Sequence, residues 1–166
     1  MTYTPNSEGY EKINYRTKEY PTTKDIYRIK NQVDVKVSSP EEAFKLFRNA
    51  MTGLDKDREH FLSASLDTKN NLKALDIISI GSLNANIVHP REVFYAAIAN
   101  KAAAIIVAHN HPTGDPAPSQ NDVDVTVKLK ETGKIIGIEV YDHIIFGAGQ
   151  YDGFTSMKEQ GMGGWS

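Results

Sequence analysis

No cysteine occurs among the 166 residues of the chain. This absence excludes a disulfide framework, a thiolate metal site and a cysteine nucleophile, and it suits a reducing compartment. Long apolar runs are also missing: no segment reaches the roughly 18 consecutive apolar residues of a membrane span, and the first residues contain no apolar core of a signal peptide. We therefore expect a soluble, cytoplasmic protein without a membrane partner.

Neither sign of charge dominates the chain. It carries 19 Lys and Arg against 21 Asp and Glu, a formal net charge of −2. Such a balance gives no general attraction to nucleic acid or to an anionic membrane, so any polyanion binding must be local. Residues 1–37 hold seven basic and five acidic residues, a slight excess that supports DNA binding only weakly.

The length fits one ordinary domain flanked by two less regular segments. Residues 1–37 are polar and contain scattered tyrosines without clean periodicity. They predict a partly disordered N-terminal extension, or alternatively an arm that docks on a partner or covers a groove. At the other end, three glycines near Trp165 predict a flexible tail over residues 159–166. The domain itself is expected over residues 38–158.

Helical and strand patterns follow one another within this domain. Ser39 and Glu42 surround Pro40 in a helix-start signal, and Gly53 ends the pattern. A helix is also expected to start at His89-Pro90, and another from Ser119 to Thr132, ending at Gly133. Strands are expected over residues 59–67, 74–80 and 102–108, with one or two more between residues 135 and 147. This mixture predicts an α/β or α+β sandwich of three layers.

Two histidines stand one residue apart at the end of an apolar strand pattern. His109 and His111 would point to the same side of an extended backbone. If Ser119 caps the next helix, Asp122 lies in its first turn and can face back toward the strand end. Two imidazoles and one carboxylate, with a water in the fourth position, form the open tetrahedral set of catalytic zinc.

Other interpretations of the same residues remain open. Ser119 and Asp122 can be a plain capping pair, with the histidines as ordinary polar residues where a strand meets a loop. The ligand types favour zinc over Mg²⁺ or Ca²⁺, although Fe²⁺ or Mn²⁺ could occupy them as well.

The full spacing H-x-H-x7-S-x2-D resembles the RadC-type branch of the JAMM (JAB/MPN) metalloprotease family. The strings DREHFLSASLDTKNNL, ISIGSLNANIVHPREVF and AHNHPTGDPAPSQND carry the likeness, which covers about residues 38–158. The resemblance implies the cytidine-deaminase-like α-β-α sandwich with a mixed sheet, and one zinc ion held by His109, His111 and Asp122. Two departures are visible: the residues before Ser38 leave no length for the helix-hairpin-helix module of longer RadC proteins, and Thr113 stands where serine is common.

The same resemblance implies two catalytic roles. Glu59 would be the general base, although it ends a charged run that composition alone would assign to a solvated surface. The rival carboxylate, Glu92, fits better as the third residue of a helix. Ser119 would donate its hydroxyl to the developing oxyanion, because a capping serine accepts from the backbone and keeps its proton free. The other three histidines, His60, His89 and His143, are expected outside the metal site.

The resulting prediction is a zinc-dependent hydrolase that uses a metal-activated water to cleave an amide or peptide-like bond. Its substrate would be an unidentified peptide or protein. Two alternatives stay open: a DNA-repair-associated accessory protein of the RadC type, and a metal-binding scaffold without turnover.

Overall fold

The computed structural model describes residues 10–17, 20–29, 35–81, 88–147 and 153–165, with the backbone alone for residues 10–29. In this part of the chain, three helices alternate with seven strands. The helices are α1 (Pro40–Ala50), α2 (Pro90–Ala99) and α3 (Gln120–Ile136). The strands are β1 (Tyr10–Thr17), β2 (Tyr20–Ile29), β3 (Glu59–Leu66), β4 (Leu72–Gly81), β5 (Ala104–His111), β6 (Glu139–Gly147) and β7 (Phe154–Ser156).

The strands form one mixed sheet in the order β1-β2-β4-β3-β5-β6-β7. β5 and β6 run parallel, with α3 as their crossover, and the other neighbouring strands are antiparallel. One face of the sheet packs against α1. The opposite face packs against α2 and α3. The predicted three-layer α-β-α sandwich with a mixed sheet is therefore confirmed. No described helix has the length and apolarity needed to cross a membrane.

Local capping signals fix where the helices begin. The Ser39 hydroxyl accepts from the Glu42 backbone N–H at 3.2 Å, and the Glu42 carboxylate accepts from the Ser38 N–H at 2.6 Å. The Ser39 bond is the first half of the capping box that the sequence predicts at the start of α1. The second half differs, because the Glu42 carboxylate bonds the residue before the N-cap.

The predicted end of α3 at Gly133 is wrong by one turn. The helix continues to Ile136 and is capped by Gly137, whose φ of 80° is left-handed. Gly133 has another purpose, since a Cβ there would lie 2.5 Å from the Ile138 carbonyl oxygen. It allows the chain to fold back closely after the helix.

The N-terminal segment differs from the partly disordered extension that its composition predicts. Residues 10–17 and 20–29 pair as an antiparallel hairpin, and β2 joins the sheet through Ile26 opposite Asp76 and Tyr27 opposite Leu75. Strand pairing uses backbone groups, so it can add strands whose side chains show no clean alternation. The remaining residues up to 34 lie outside the described part.

The C-terminal residues also differ from the predicted flexible tail over residues 159–166. Trp165 packs on α3, with Lys130 Nζ 4.1 Å from its ring centroid. The same ammonium group donates to the Gly164 carbonyl at 2.7 Å. Gly163 permits this path, because a Cβ there would lie 2.5 Å from Thr126 Cγ2. The glycines that suggested flexibility allow close packing in residues 159–165.

Candidate metal centre

The three predicted ligands meet between the end of β5 and the start of α3. His109 Nε2 lies 3.1 Å from Asp122 Oδ1, and His111 Nε2 lies 3.4 Å from Asp122 Oδ2. The two Nε2 atoms are 2.9 Å apart. The ligand atoms lie within 4.8 Å of one another, so the chain can offer all three to one ion.

Ser119 holds the Asp122 carboxylate in place. The Ser119 backbone N–H and hydroxyl both donate to Oδ2 of Asp122, at 2.7 and 2.8 Å, and the Asp122 N–H donates back to the hydroxyl at 3.2 Å. Oδ1 is left facing His109. The hydroxyl proton is therefore engaged, which corrects the expectation that capping would leave it free.

The loop after β5 orients the second histidine. His111 Nδ1 lies 2.7 Å from the Asp115 carbonyl oxygen. A carbonyl can only accept, so Nδ1 carries a proton and the neutral ring presents an Nε2 lone pair. That lone pair faces the oxygens of a carboxylate, an arrangement that needs a proton or a cation between them. Two imidazoles and a carboxylate suit zinc or a similar divalent ion.

Electrostatics keep Asp122 ionised. Burial acts to raise the pKa of its carboxyl group, but the hydrogen bonds with His109 and His111 outweigh burial and hold the pKa well below its ordinary value. The pKa of His111 is raised, first by its hydrogen bond to Asp122. In the metal-free protein the cluster therefore favours binding a proton, which a metal ion would displace.

Glu59 opens β3 next to this cluster. The register pairs Phe61 with His109 in antiparallel β3 and β5, and Glu59, two residues before Phe61, is on the same face of β3. After the hydrogen bond to Asp122, the charge of Glu59 is among the effects that raise the pKa of His111. Glu59 is half-buried. Its catalytic role remains a prediction.

Asn110, between the two histidines, is a residue that the sequence interpretation missed. It is fully buried, and it lies on the opposite face of β5 from the two histidines, where it lines a cavity with Met51 and Phe146. Its Oδ1 accepts from the His60 N–H at 2.8 Å, and its Nδ2 donates to the Arg58 carbonyl at 2.9 Å. The side chain thus ties the backbone on both sides of Glu59 to the ligand strand. Its position between two candidate ligands is the feature of the sequence that could have identified Asn110.

None of the other three histidines belongs to the described ligand group. His89 precedes α2 without a side-chain capping bond, and Glu92 lies in the first turn of that helix. His60 bonds the Arg58 carbonyl. His143 on β6 is fully buried, and its Nε2 lies 2.8 Å from His109 Nδ1. Burial lowers the pKa of His143 well below its ordinary value. The sequence interpretation missed this contact between His143 and a candidate ligand.

The fold and these residues define an α/β domain with a candidate metal centre at the end of a central strand. Residues 37–162 match the family described as RadC-like JAB domain, and the chain belongs to this family. The ligand spacing had already suggested it.

Similar proteins come from archaea and bacteria. The UPF0758 protein of Methanosarcina mazei is 48% identical over 127 residues, which cover 76% of this chain and 53% of the relative. The UPF0758 protein of Methanococcoides burtonii is 52% identical over 126 residues, with the same two shares. UPF0758 protein TTE0897 of Caldanaerobacter subterraneus is 52% identical over 125 residues, 75% of this chain and 52% of the relative. The chain thus spans about half the length of these relatives.

Proposed function

We propose that this protein is a zinc-dependent hydrolase that cleaves an amide or peptide-like bond in a peptide or protein. The observation that carries the proposal is the convergence of His109 Nε2, His111 Nε2 and the Asp122 carboxylate within 4.8 Å. Glu59 lies on β3 two residues before Phe61, which pairs with His109, and its charge acts on His111. Membership of the RadC-like JAB family supports it.

His109, His111 and Asp122 would hold the ion. When bound, zinc would supply a Lewis acid that polarises a carbonyl group and lowers the pKa of a water toward about 7. Glu59 takes the proton from the attacking water and returns it to the leaving amine. Glu59 is half-buried, and its charge acts on His111, which supports a place beside the ion.

Ser119 has a more restricted part than a free hydroxyl would have. Its proton is donated to Asp122 Oδ2 at 2.8 Å, so it can stabilise an oxyanion only by leaving that carboxylate when the substrate is bound. We propose that Ser119 orients a ligand in the free enzyme and turns toward the oxyanion during the reaction.

The first test is the metal content of the full chain, purified without added metal and without a chelating tag. We expect about one zinc ion per chain in the wild type, and none in His109→Ala or Asp122→Ala. His89→Ala is the matched control, because this histidine lies outside the ligand group. A wild-type chain that neither retains nor takes up metal on titration would overturn the hydrolase mechanism.

Turnover is tested with a peptide library and the Glu59→Gln variant. This isosteric change removes the base but no ligand, so zinc should remain while cleavage falls by about 10²-fold or more. Equal cleavage by the variant would exclude Glu59 as the base. A zinc-loaded wild type that cleaves no peptide would favour the metal-binding scaffold. DNA affinity that falls steeply with salt would instead favour the accessory protein.

A further inference from the structure

A chain of buried hydrogen bonds lies behind the first metal ligand. His109 Nδ1 is 2.8 Å from His143 Nε2, and His143 Nδ1 is 2.7 Å from the Thr126 hydroxyl. That hydroxyl is 2.6 Å from the Asp122 carbonyl oxygen. The side chains come from β5, β6 and α3. The series of hydrogen bonds ends at the backbone carbonyl of Asp122, which is another proposed ligand.

The carbonyl group at the end of the chain sets its direction. The Asp122 carbonyl can only accept, so the single proton of the Thr126 hydroxyl points to it. The same hydroxyl lies 3.3 Å from the Met157 sulfur. A thioether is a weak acceptor, so the carbonyl oxygen receives the hydrogen bond of the hydroxyl. With its proton used, the Thr126 oxygen can only accept from His143. The His143 Nδ1 must therefore carry the proton.

The direction passes on to His109. A neutral imidazole carries one N–H, so His143 Nε2 has no proton and accepts a hydrogen bond from the Nδ1–H of His109. His109 then presents the lone pair of Nε2, the atom that lies 3.1 Å from Asp122 Oδ1. If His143 donated to His109 instead, the proton of His109 would be on Nε2, and this atom could not bind a metal ion.

These groups are buried, so water is not available to replace a hydrogen bond that is lost. His143 and Thr126 have no exposed surface, and His109 is 1% exposed. Since Gly163 and Met157 pack directly against Thr126, water cannot readily replace a lost hydroxyl.

We propose that His143 and Thr126 are positioning residues, which hold His109 as the Nδ1–H tautomer so that its Nε2 binds the metal ion. This inference rests on the proposed metal binding at His109, His111 and Asp122. It assigns no contact with substrate to either residue. Outer partners of this kind change metal affinity about 10–100-fold in other sites.

Two substitutions at Thr126 separate the hydroxyl from the packing. Thr126→Val keeps the shape and removes the hydroxyl, whereas Thr126→Ser keeps the hydroxyl and removes a methyl group. Thr132→Val is the matched control, because Thr132 makes the same type of bond within α3, to the Lys128 carbonyl at 2.8 Å. The full-length variants are compared by zinc affinity, measured in competition with a chromogenic chelator, and their folding is checked by circular dichroism.

We expect Thr126→Val to bind zinc about 10–100-fold more weakly, while Thr126→Ser and Thr132→Val stay close to the wild type. Equal zinc affinity in Thr126→Val and the wild type would overturn the inference and leave the proposed function intact. Weakening in Thr126→Ser as large as in Thr126→Val would also overturn it, because packing alone would then explain both. A wild type that binds no zinc overturns the proposed function, and the inference with it.

If Thr126→Val does not fold, a measurement on the wild type tests the inference. Long-range ¹H–¹⁵N spectra of the histidine rings, recorded on the zinc-loaded protein, show which ring nitrogen of each histidine carries the proton, and the His109 signals are assigned by their loss in His109→Ala. We expect His109 to be the Nδ1–H tautomer. An Nε2–H tautomer at His109 contradicts the inference.

Discussion

Asp122 has two roles, and replacing it with alanine tests both. Its carboxylate accepts from the Ser119 N–H at 2.7 Å and from the Ser119 hydroxyl at 2.8 Å, which closes the capping box of α3. The same carboxylate is the proposed third ligand. Asp124→Ala is the matched control, because Asp124 lies on the exposed side of the same helix and accepts only from Gln120 among the described bonds.

The two roles have separate magnitudes. Loss of the capping contacts should lower the free energy of unfolding of the metal-free protein by about 1 kcal/mol. Zinc at about 100 times its dissociation constant should add about 2.7 kcal/mol to a chain that binds it in the folded state. In a chain of this length each kcal/mol corresponds to about 2–4 °C. The zinc effect on Tm is therefore about 5–11 °C.

Thermal unfolding followed by circular dichroism, with and without zinc, gives both quantities. The wild type and Asp124→Ala should gain the full zinc-dependent increase in Tm. Asp122→Ala should start lower and gain little at the same zinc concentration. If zinc raises the Tm of Asp122→Ala as much as that of the wild type, Asp122 is not a ligand and the reasoning fails.

Three further predictions concern stability and positioning. Gly133→Ala should lose about 1–3 kcal/mol of unfolding free energy, measured in urea, because its Cβ would lie 2.5 Å from a backbone carbonyl oxygen. This loss should exceed the gain from the better helix propensity of alanine, and the control Lys134→Ala should change little. Asn110→Ala should lose about 1–3 kcal/mol and lower peptide cleavage without weakening zinc binding, whereas a weakened zinc affinity would contradict its assignment to the opposite face of the sheet. Burial raises the pKa of Asp142 above 3.8, so its contribution is favourable below the unfolded-state pKa and is lost as the pH rises through the folded-state pKa. Asp142→Asn should therefore gain stability relative to the wild type as the pH rises through the titration of Asp142, and a constant difference between the two proteins in urea titrations across that range would refute it.

Short-range signals predicted much of the fold and of the candidate site. The start of α1 depends on Ser39 and Glu42, three residues apart, and the start of α3 on Ser119 and Asp122 at the same spacing. Contacts between residues this close in the chain can be predicted from the sequence alone. The pair His109 and His111 follows the same logic, since alternate residues of a strand share a face.

Longer-range contacts escaped the sequence interpretation. His143 contacts His109 across 34 residues, and Asn110 bonds the Arg58 carbonyl across 52. Neither partner can be chosen before the strand order and register are known, because several buried polar residues could satisfy the same donor.

The amino-acid sequence alone determined the helix starts, the candidate ligand set and the family, because each depends on residues close together in the chain. Only the tertiary structure decided which buried partners orient His109, how Gly133 and Gly163 let the chain approach α3, and that residues 10–29 extend the sheet. These features depend on the register between β3, β5 and β6 and on close backbone contacts, which no local pattern encodes.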